Sequence, residues 1–415
     1  MKKICLLGGY AFENYGDEIT YYSLYKRLTC AGYTVKMLSW PEKYKRYYKA
    51  YQYPIKMWDP QKEPCLFESN PYGDDLLNIV KNRSELERYN EQFDIFMVGS
   101  GQYFNARVLN NIRYYTLLDW VQKKKIAYSA AWGNGDYVTK DTHERELIYS
   151  CIKRFDHFSV REEQSVKIAK EEFGIEAQQV IDPVFLCDKK WFYDIAQEPD
   201  RSISEEFIFS YMLDSSEING RYIKEFSERN NLNVISVCAE SMHVKSMCKK
   251  HWPLLIEQNV CVENWVWYIQ NCKFMVTDSF HGMCMAIVFN KPFVVITRPL
   301  AGNDRYSSLL GRLGLLNHIL DNPVDLSNTS LSYWNIDFST VNNTIDLFVK
   351  SSNEWLNNAI GTQKYDESKN RSLLLDADFI DCIKYSLVRV WYGLSNGYIF
   401  DILRRIKHLL KEDKL

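Results

Sequence analysis

Short apolar runs alternate with amphipathic stretches along residues 1–200, and each run has the length and composition of a buried strand. Glycine or polar residues follow these runs directly. The runs are residues 2–7, 93–98, 125–131, 155–160 and 179–181. Because parallel α/β sheets bind ligands outside the carboxyl ends of their strands, this pattern predicts a doubly wound domain with a polar binding edge.

The same alternation restarts after a polar, proline-containing break at residues 197–205. Its predicted strands are residues 207–211, 233–238, 274–276 and 293–296. Two similar halves joined by one linker favour an α/β enzyme in which two Rossmann-like, doubly wound domains face a cleft. We therefore expect an N-terminal domain over residues 1–198, a C-terminal domain over residues 206–360 and a helical tail over residues 361–415.

The most informative stretch is residues 274–296, which predicts a strand, a polar turn, a buried helix and a second strand. The turn, residues 277–282, offers two hydroxyls, one carboxylate, the imidazole of His281 and a glycine. It precedes a helix N-terminus at the edge where open α/β sheets bind ligands. A lone histidine at such a place is also frequently a core residue, so these residues alone leave a structural and a functional interpretation open.

A glycine-rich turn follows the first predicted strand, and the helix after it runs to about residue 30. The turn lacks the GxGxxG spacing, so it carries no dinucleotide fingerprint. Its backbone N–H groups could still hold an anion. Asn14 and Asp17 lie in this turn, and each is also a common N-cap residue type. Capping explains one of them more readily than both.

Three arginines also follow predicted strands, namely Arg161, Arg298 and Arg305. Arginine binds phosphate and carboxylate groups in a bidentate way. Arranged with His281 around one cleft, they would suit a small dianionic donor. For any single arginine a surface salt bridge is the simpler interpretation, and their shared position after strands favours the joint role.

Composition narrows the classes of partner. A net charge of −2 and a pI near 6.4 give no global field for nucleic acid. The 11 cysteines show no CxxC pairs, which is typical of buried thiols in a reducing cytoplasm. The aromatic content of 15% suits either a carbohydrate-facing surface or a large aromatic core. The N-terminus is interpreted as a first strand rather than a signal peptide, and no apolar stretch reaches the length needed to span a bilayer.

The tail carries two amphipathic helical patterns, at residues 385–394 and 398–410, with arginines and lysines beside the apolar faces. One interpretation is that these helices dock on the first domain. The other is a peripheral membrane contact through residues 384–411, with the apolar face in the bilayer and the basic rim at anionic lipid. The pattern leaves both open, for a protein that we otherwise expect in the cytoplasm.

Taken together, the strand-end motifs resemble those of the polysaccharide pyruvyltransferases. The resemblance covers roughly residues 1–360, and it rests on the order and spacing of several short segments rather than on any one. The segments are residues 14–18, 98–101, 159–165, 181–185, 277–282 and 290–293.

This resemblance implies a GT-B-like fold that works without a metal or other cofactor and uses phosphoenolpyruvate as donor. Pyruvate would be transferred as a cyclic ketal to a sugar or a lipid-linked oligosaccharide, in surface or capsular polysaccharide synthesis. By the family pattern His281 takes the acid role and Arg161 binds an anion. Some members carry arginine where this chain has Ser279, so Arg298 or Arg305 is the candidate replacement cation.

The candidate site therefore has two catalytic residues, His281 and Asp17, and a larger set of substrate-binding residues. The latter are Arg161, Arg298, Arg305, Ser279, Gly282, Asn14, Gly99, Gly101, Gln102 and Asn303. Two other functions share the same architecture. One is a GT-B-like glycosyltransferase that uses a nucleotide sugar, and the other is a non-catalytic carbohydrate-binding protein.

Overall fold

A computed structural model describes most of the chain up to residue 362. The described residues are 1–8, 15–38, 71–75, 77, 83–104, 117–133, 148–200, 203, 205–214, 216–238, 252–254, 256–257, 260–298, 303–328 and 331–362. The chain forms two compact units, Met1–Arg371 and Ser372–Leu415. The predicted tail helices lie outside the described residues.

The N-terminal half of the first unit contains a parallel sheet, which has six strands within the described ranges, in the order β2-β1-β3-β4-β5-β6. The strands are β1 (Lys3–Leu7), β2 (Thr34–Leu38), β3 (Ile95–Val98), β4 (Lys124–Ala130), β5 (His157–Val160) and β6 (Gln178–Gln179). The α-helices are α1 (Tyr15–Cys30), α2 (Arg83–Arg88), α3 (Glu163–Phe173) and α4 (Lys189–Ile195). Short 3-10 turns are Gly73–Asp75, Tyr89–Glu91 and Pro183–Leu186. We call this half the N-lobe.

The C-terminal half, the C-lobe, contains a second parallel sheet with five described strands in the order β11-β10-β9-β7-β8. The strands are β7 (Phe207–Met212), β8 (Asn233–Cys238), β9 (Phe274–Thr277), β10 (Phe293–Ile296) and β11 (Ile319–Leu320). The α-helices are α5 (Glu217–Asn230), α6 (Val262–Asn271), α7 (Phe280–Val288), α8 (Asp304–Arg312) and α9 (Phe338–Gly361). Its 3-10 turns are Leu316–His318, Pro323–Asn328 and Leu331–Trp334. The predicted two-sheet α/β architecture is confirmed.

The turn between β9 and α7 is held by its own polar side chains. Thr277 Oγ1 donates to the carbonyl of Tyr211 (2.6 Å) and accepts from the N–H of Ser279 (3.0 Å). Ser279 is the N-cap of α7, and its hydroxyl accepts from the N–H of Gly282 (3.3 Å). These contacts fix the first turn of α7, and with it the direction of the side chain at position 281.

Several contacts join the lobes, among them one at α1 and one at the edge of the first sheet. At one, the hydroxyl of Tyr15 in α1 donates to the carbonyl of Val260 (2.7 Å), and its ring stacks on Trp265 of α6 with 5.6 Å between centroids. At the other, Ser308 Oγ in α8 accepts from the N–H of Glu163 (3.1 Å) and from the side-chain amide of Gln179 (3.0 Å). The N-terminus of α1 and the edge of the first sheet are thereby held against the C-lobe.

Helix α9, which the sequence assigns to the second domain, contacts the N-lobe along its C-terminal half. Ser352 Oγ accepts from the N–H of Ile181 (2.9 Å), and Arg27 donates to the amide oxygen of Asn353 (2.6 Å). Lys124 Nζ donates to the carbonyl of Thr362 (2.7 Å), just after the helix ends. No helix within the described ranges is both long and apolar enough to cross a bilayer.

Candidate active site

A cluster of polar side chains joins the two lobes at the carboxyl ends of their strands. Ser100 follows β3, Arg161 follows β5 and Asp182 follows β6, whereas His281 comes from the first turn of α7 in the C-lobe. His281 Nε2 lies 3.3 Å from Asp182 Oδ2 and 3.5 Å from Arg161 Nη1. The other lobe thus supplies His281 with a carboxylate partner, which favours the functional interpretation of this histidine.

Asp182 is the centre of the cluster, and it is almost completely buried. Its Oδ2 accepts from Ser100 Oγ (2.9 Å) and Arg161 Nη1 (3.0 Å), and its Oδ1 accepts from the N–H of Val184 (3.1 Å). Burial alone would raise the pKa of Asp182, but His281 and Arg161 outweigh it and hold that pKa well below its usual range. The carboxylate is ionised and can only accept, so a hydrogen bond with His281 requires the proton on Nε2.

Arg161 is buried, with only 7% of its surface exposed, and nearly all of its donors are engaged. Nε donates to Glu162 Oε1 (2.8 Å), and Nη2 lies 2.8 Å from the same oxygen. Nη1 donates to Ser100 Oγ (3.2 Å) and to Asp182 Oδ2 (3.0 Å). The guanidinium carbon lies 4.3 Å from the ring centroid of Phe280. Burial alone would lower the pKa of Arg161, but Glu162 and Asp182 outweigh that effect and raise the pKa above its usual value. The guanidinium therefore stays cationic.

Helix α1 closes one face of the imidazole. A Cβ placed on Gly16 would lie 2.5 Å from Nδ1 of His281 and 2.9 Å from its Cβ, distances that real Cβ atoms do not show. Only glycine therefore fits between α1 and His281. Two segments of the family resemblance, residues 14–18 and 277–282, are therefore in contact at Gly16 and His281.

Asp17 is the next residue of α1 and is half-buried. Burial raises the pKa of Asp17, and Asp182 adds to the rise, whereas His281 and Arg161 oppose it. Its carboxyl group therefore interacts electrostatically with all three charged members of the cluster. A carboxyl group with a raised pKa in such a place is suited to accept and release a proton.

Arg298 and Arg305 lie around Asp278, and Asp278 belongs to the same turn as His281. Arg298 Nε is 3.5 Å from Asp278 Oδ2, and Arg305 Nη2 donates to the hydroxyl of Tyr306 (2.8 Å). That hydroxyl donates in turn to the carbonyl of Asp278 (2.5 Å), and the Tyr306 ring lies 6.3 Å from the ring of Phe280. Arg305 is thus connected to the histidine cluster through the rings of Tyr306 and Phe280, whereas Arg298 contacts Asp278 of the same turn.

Several predicted binding residues have packing roles. The hydroxyl of Ser279 and the N–H of Gly282 bond each other in the N-cap of α7. A Cβ on Gly99 would lie 2.8 Å from the ring of Tyr21, and Gly101 has a φ of +150° with the Tyr103 ring at 2.3 Å from a Cβ. At both positions only glycine lets the tyrosine ring approach the backbone.

Two further predicted residues make no side-chain contribution to the described cluster. Gln102 is half-buried beside β3, and Asn303 is exposed before α8, where its carbonyl accepts from the N–H of Tyr306 (2.9 Å). Asn14 lies outside the described residues. The binding roles of all these residues stay predictions.

Sequence reasoning missed Asp182, Glu162 and Ser100 as site residues, although all three follow strands just as Arg161 does. The signal was available at Asp182, because an acidic residue at the end of a buried strand lies at the ligand edge of a parallel sheet. Glu162 could not be recognised because it follows Arg161 directly, and adjacent residues of opposite charge normally indicate an ion pair at the surface.

Comparison with known proteins identifies the family. The model of the polysaccharide pyruvyl transferase family matches residues 14–299, which is more than half of the chain. The chain therefore belongs to this family, and a transferase activity follows from that membership. The resemblance drawn from the motifs is confirmed, and all four members of the cluster lie within the matched segment.

Solved structures show the same fold at low sequence identity. The UDP-N-acetylglucosamine 2-epimerase of Rickettsia bellii is 11% identical with a TM-score of 0.51, over 86% of this chain and 98% of the epimerase. MnaA of S. aureus, solved with UDP, is 14% identical with a TM-score of 0.50, over 88% of this chain and 100% of MnaA. The predicted GT-B-like fold is confirmed. No curated protein matches the chain significantly.

Proposed function

We propose that the protein transfers pyruvate from phosphoenolpyruvate to two hydroxyls of one sugar, forming a cyclic ketal. One observation carries the proposal: His281 of the C-lobe meets Asp182 and Arg161 of the N-lobe, within the segment that defines the family. Such a pairing places an acid–base group at the contact between two lobes, where a donor and an acceptor can be brought together.

His281 supports the first chemical step. Protonation of C3 turns the methylene of phosphoenolpyruvate into a methyl group and makes C2 an electrophile. The imidazolium form of His281 gives that proton, and the buried Asp182 carboxylate stabilises the cation and fixes the ring orientation. Ser100 and Arg161 in turn hold the carboxylate in place.

The remaining steps restore the proton balance. One sugar hydroxyl adds to C2 and loses its proton, the C2–O bond to phosphate breaks, and a second hydroxyl of the same sugar adds with loss of its proton. One of the two hydroxyl protons replaces the one given to C3, and the other leaves with hydrogen phosphate. The position and raised pKa of Asp17 support a role in carrying one of them.

We further propose a cytoplasmic enzyme whose acceptor is a sugar or a lipid-linked oligosaccharide of surface or capsular polysaccharide synthesis. The family name supports a polysaccharide acceptor. The amphipathic, basic pattern of residues 384–411 supports a peripheral contact with the membrane, where a lipid-linked acceptor would be found.

Release of the leaving group tests the proposal against a nucleotide-sugar glycosyltransferase. The full chain is incubated with phosphoenolpyruvate or with nucleotide sugars, in each case with galactosides, glucosides and mannosides, and both phosphate and nucleoside diphosphate are measured. We expect acceptor-dependent phosphate release that His281→Ala abolishes. Nucleoside diphosphate release alone, unaffected by phosphoenolpyruvate, would overturn the proposal.

A further inference from the structure

The cluster around His281 has few positively charged hydrogen-bond donors that are free to bind an anionic substrate. Arg161 is its permanent cation, and two buried carboxylates, Glu162 and Asp182, lie within 3.0 Å of the guanidinium. Its flat face is covered by Phe280. A substrate that carries phosphate and carboxylate groups needs donors that these contacts do not supply.

The second pair of arginines has such donors. Nε of Arg298 and Nε of Arg305 are buried, and neither has a hydrogen-bond partner among the described residues. The ion pair of Arg298 with Asp278 is long, at 3.5 Å, and lacks hydrogen-bond geometry. A buried guanidinium donor without a partner is costly, so its persistence points to a ligand that completes it.

Asp278 completes neither Nε donor, and its oxygens instead accept from backbone N–H groups. Oδ1 accepts from the N–H of Leu213 (2.5 Å) and Oδ2 from the N–H of Asp214 (2.7 Å). Tyr306 fixes the second arginine, whose guanidinium carbon lies 4.8 Å from the ring centroid while Nη2 donates to the hydroxyl. The protein therefore positions both arginines and leaves their Nε donors for a ligand.

We propose that Arg298 and Arg305 form a subsite for a phosphoryl group of the substrate, and that Arg161 is a positioning residue for Asp182 and His281. This inference rests on the proposed function for its place in the reaction. Arg298 and Arg305, which follow β10, would then determine the affinity for the substrate. Arg161, Asp182 and His281 would determine the rate of turnover. The subsite also supplies the cation that Ser279 does not provide in the turn before α7.

The test compares Arg298→Gln, Arg305→Gln and the double variant with Arg221→Gln, an exposed arginine of α5 that serves as the matched control. Calorimetry measures binding of inorganic phosphate, phosphoenolpyruvate and UDP to the full chain without acceptor. Thermal midpoints of all variants verify that each one folds. Loss of a charge-assisted hydrogen bond predicts about tenfold to hundredfold weaker binding for each single variant and none for the control.

The three ligands distinguish the source of the phosphoryl group. Weaker binding of phosphate and phosphoenolpyruvate assigns the subsite to the donor, and weaker binding of phosphate and UDP assigns it to a nucleotide-linked substrate. Unchanged binding of all three ligands by the folded double variant overturns the subsite, whether or not the enzyme turns over.

Steady-state kinetics separates this inference from the proposed function. If phosphoenolpyruvate is the donor, the Arg298 and Arg305 variants raise its KM about tenfold or more with a smaller change in kcat, whereas Arg161→Lys lowers kcat. Turnover with an unchanged KM contradicts the subsite and leaves the proposed function intact. Phosphate binding that depends on the two arginines, without any pyruvyl transfer, supports the subsite and contradicts the function.

Discussion

His281 Nε2 and Asp182 Oδ2 are 3.3 Å apart although the two residues come from different lobes. The contact forms only when both sheets present the carboxyl ends of their strands to each other. Since the carboxylate also accepts from Ser100 and Arg161, its position does not depend on the imidazole alone. The histidine is therefore oriented by a preorganised anion.

Replacing Asp182 with asparagine should reduce kcat by about 100-fold with little effect on KM. The amide keeps the shape of the side chain but removes the charge that stabilises the imidazolium. Steady-state phosphate release measures the effect. Asp188→Asn, at an exposed N-cap that either residue type can serve, is the matched control and should behave as wild type. Equal kcat values for Asp182→Asn and wild type would contradict the orienting role.

A methyl group at position 16 should displace the imidazole of His281. Because the added Cβ would lie 2.5 Å from Nδ1, Gly16→Ala is expected to lower kcat about tenfold to hundredfold in a protein that still folds. Gly311→Ala is the control, since the nearest side-chain atom to its Cβ lies 3.6 Å away. Circular dichroism verifies folding, and an unaltered kcat for Gly16→Ala would show that the contact has no role in turnover.

The pH dependence of turnover should report on Asp17. Burial raises the pKa of this carboxyl group, so its ionised form, and the activity that needs it, are lost at a higher pH than for an ordinary aspartate. We expect an acid limb in kcat that lies above the usual aspartate pKa of about 3.9 and is missing in Asp17→Asn. The exposed Asp346→Asn should retain the limb. A limb that persists in Asp17→Asn would assign it to another group.

Stability should fall in mild acid because of His318. This histidine donates Nδ1–H to the carbonyl of Phe293 (2.8 Å) and is buried between aromatic rings. Burial lowers its pKa, so the unfolded state takes up the proton first. The free energy of unfolding contributed by neutral His318 is present above about pH 6.5 and declines as the pH falls below that value.

Urea unfolding at pH 7.5 and 5.5 measures this decline. His318→Phe removes the titrating group and keeps the ring contacts, so its unfolding free energy should depend less on pH than that of wild type. An identical pH dependence in the two proteins would locate the sensitivity elsewhere.

Much of the fold could be predicted because buried parallel strands give continuous apolar runs that end in polar residues. The bounds of β8 and β10 agree with the pattern at both ends. β11 has only two residues, too few for any pattern, and α4 has no helical period long enough to be recognised. The path of α9 back to the N-lobe depends on tertiary contacts such as that between Ser352 and Ile181, which periodicity does not encode.

The sequence singled out three residues that lie near one another in the structure, and their catalytic and binding roles stay predictions. His281, Asp17 and Arg161 could be recognised because each is polar and follows a strand. The saturation of Arg161 by Glu162 and Asp182 could not, since it depends on distances between side chains from different strands. The binding role of the glycines stays a prediction, and at Gly99 and Gly101 the structure also shows that glycine makes room for tyrosine rings.

The central proposal is that the protein forms a pyruvyl ketal by protonating C3 of phosphoenolpyruvate and adding two sugar hydroxyls at C2. NMR of the product formed in D₂O from phosphoenolpyruvate and an accepted glycoside tests it most directly. The account predicts one phosphate per ketal and a ketal methyl group that carries one deuterium from solvent, both lost in His281→Ala. A product without a pyruvyl methyl group, formed with release of a nucleoside diphosphate, would contradict it.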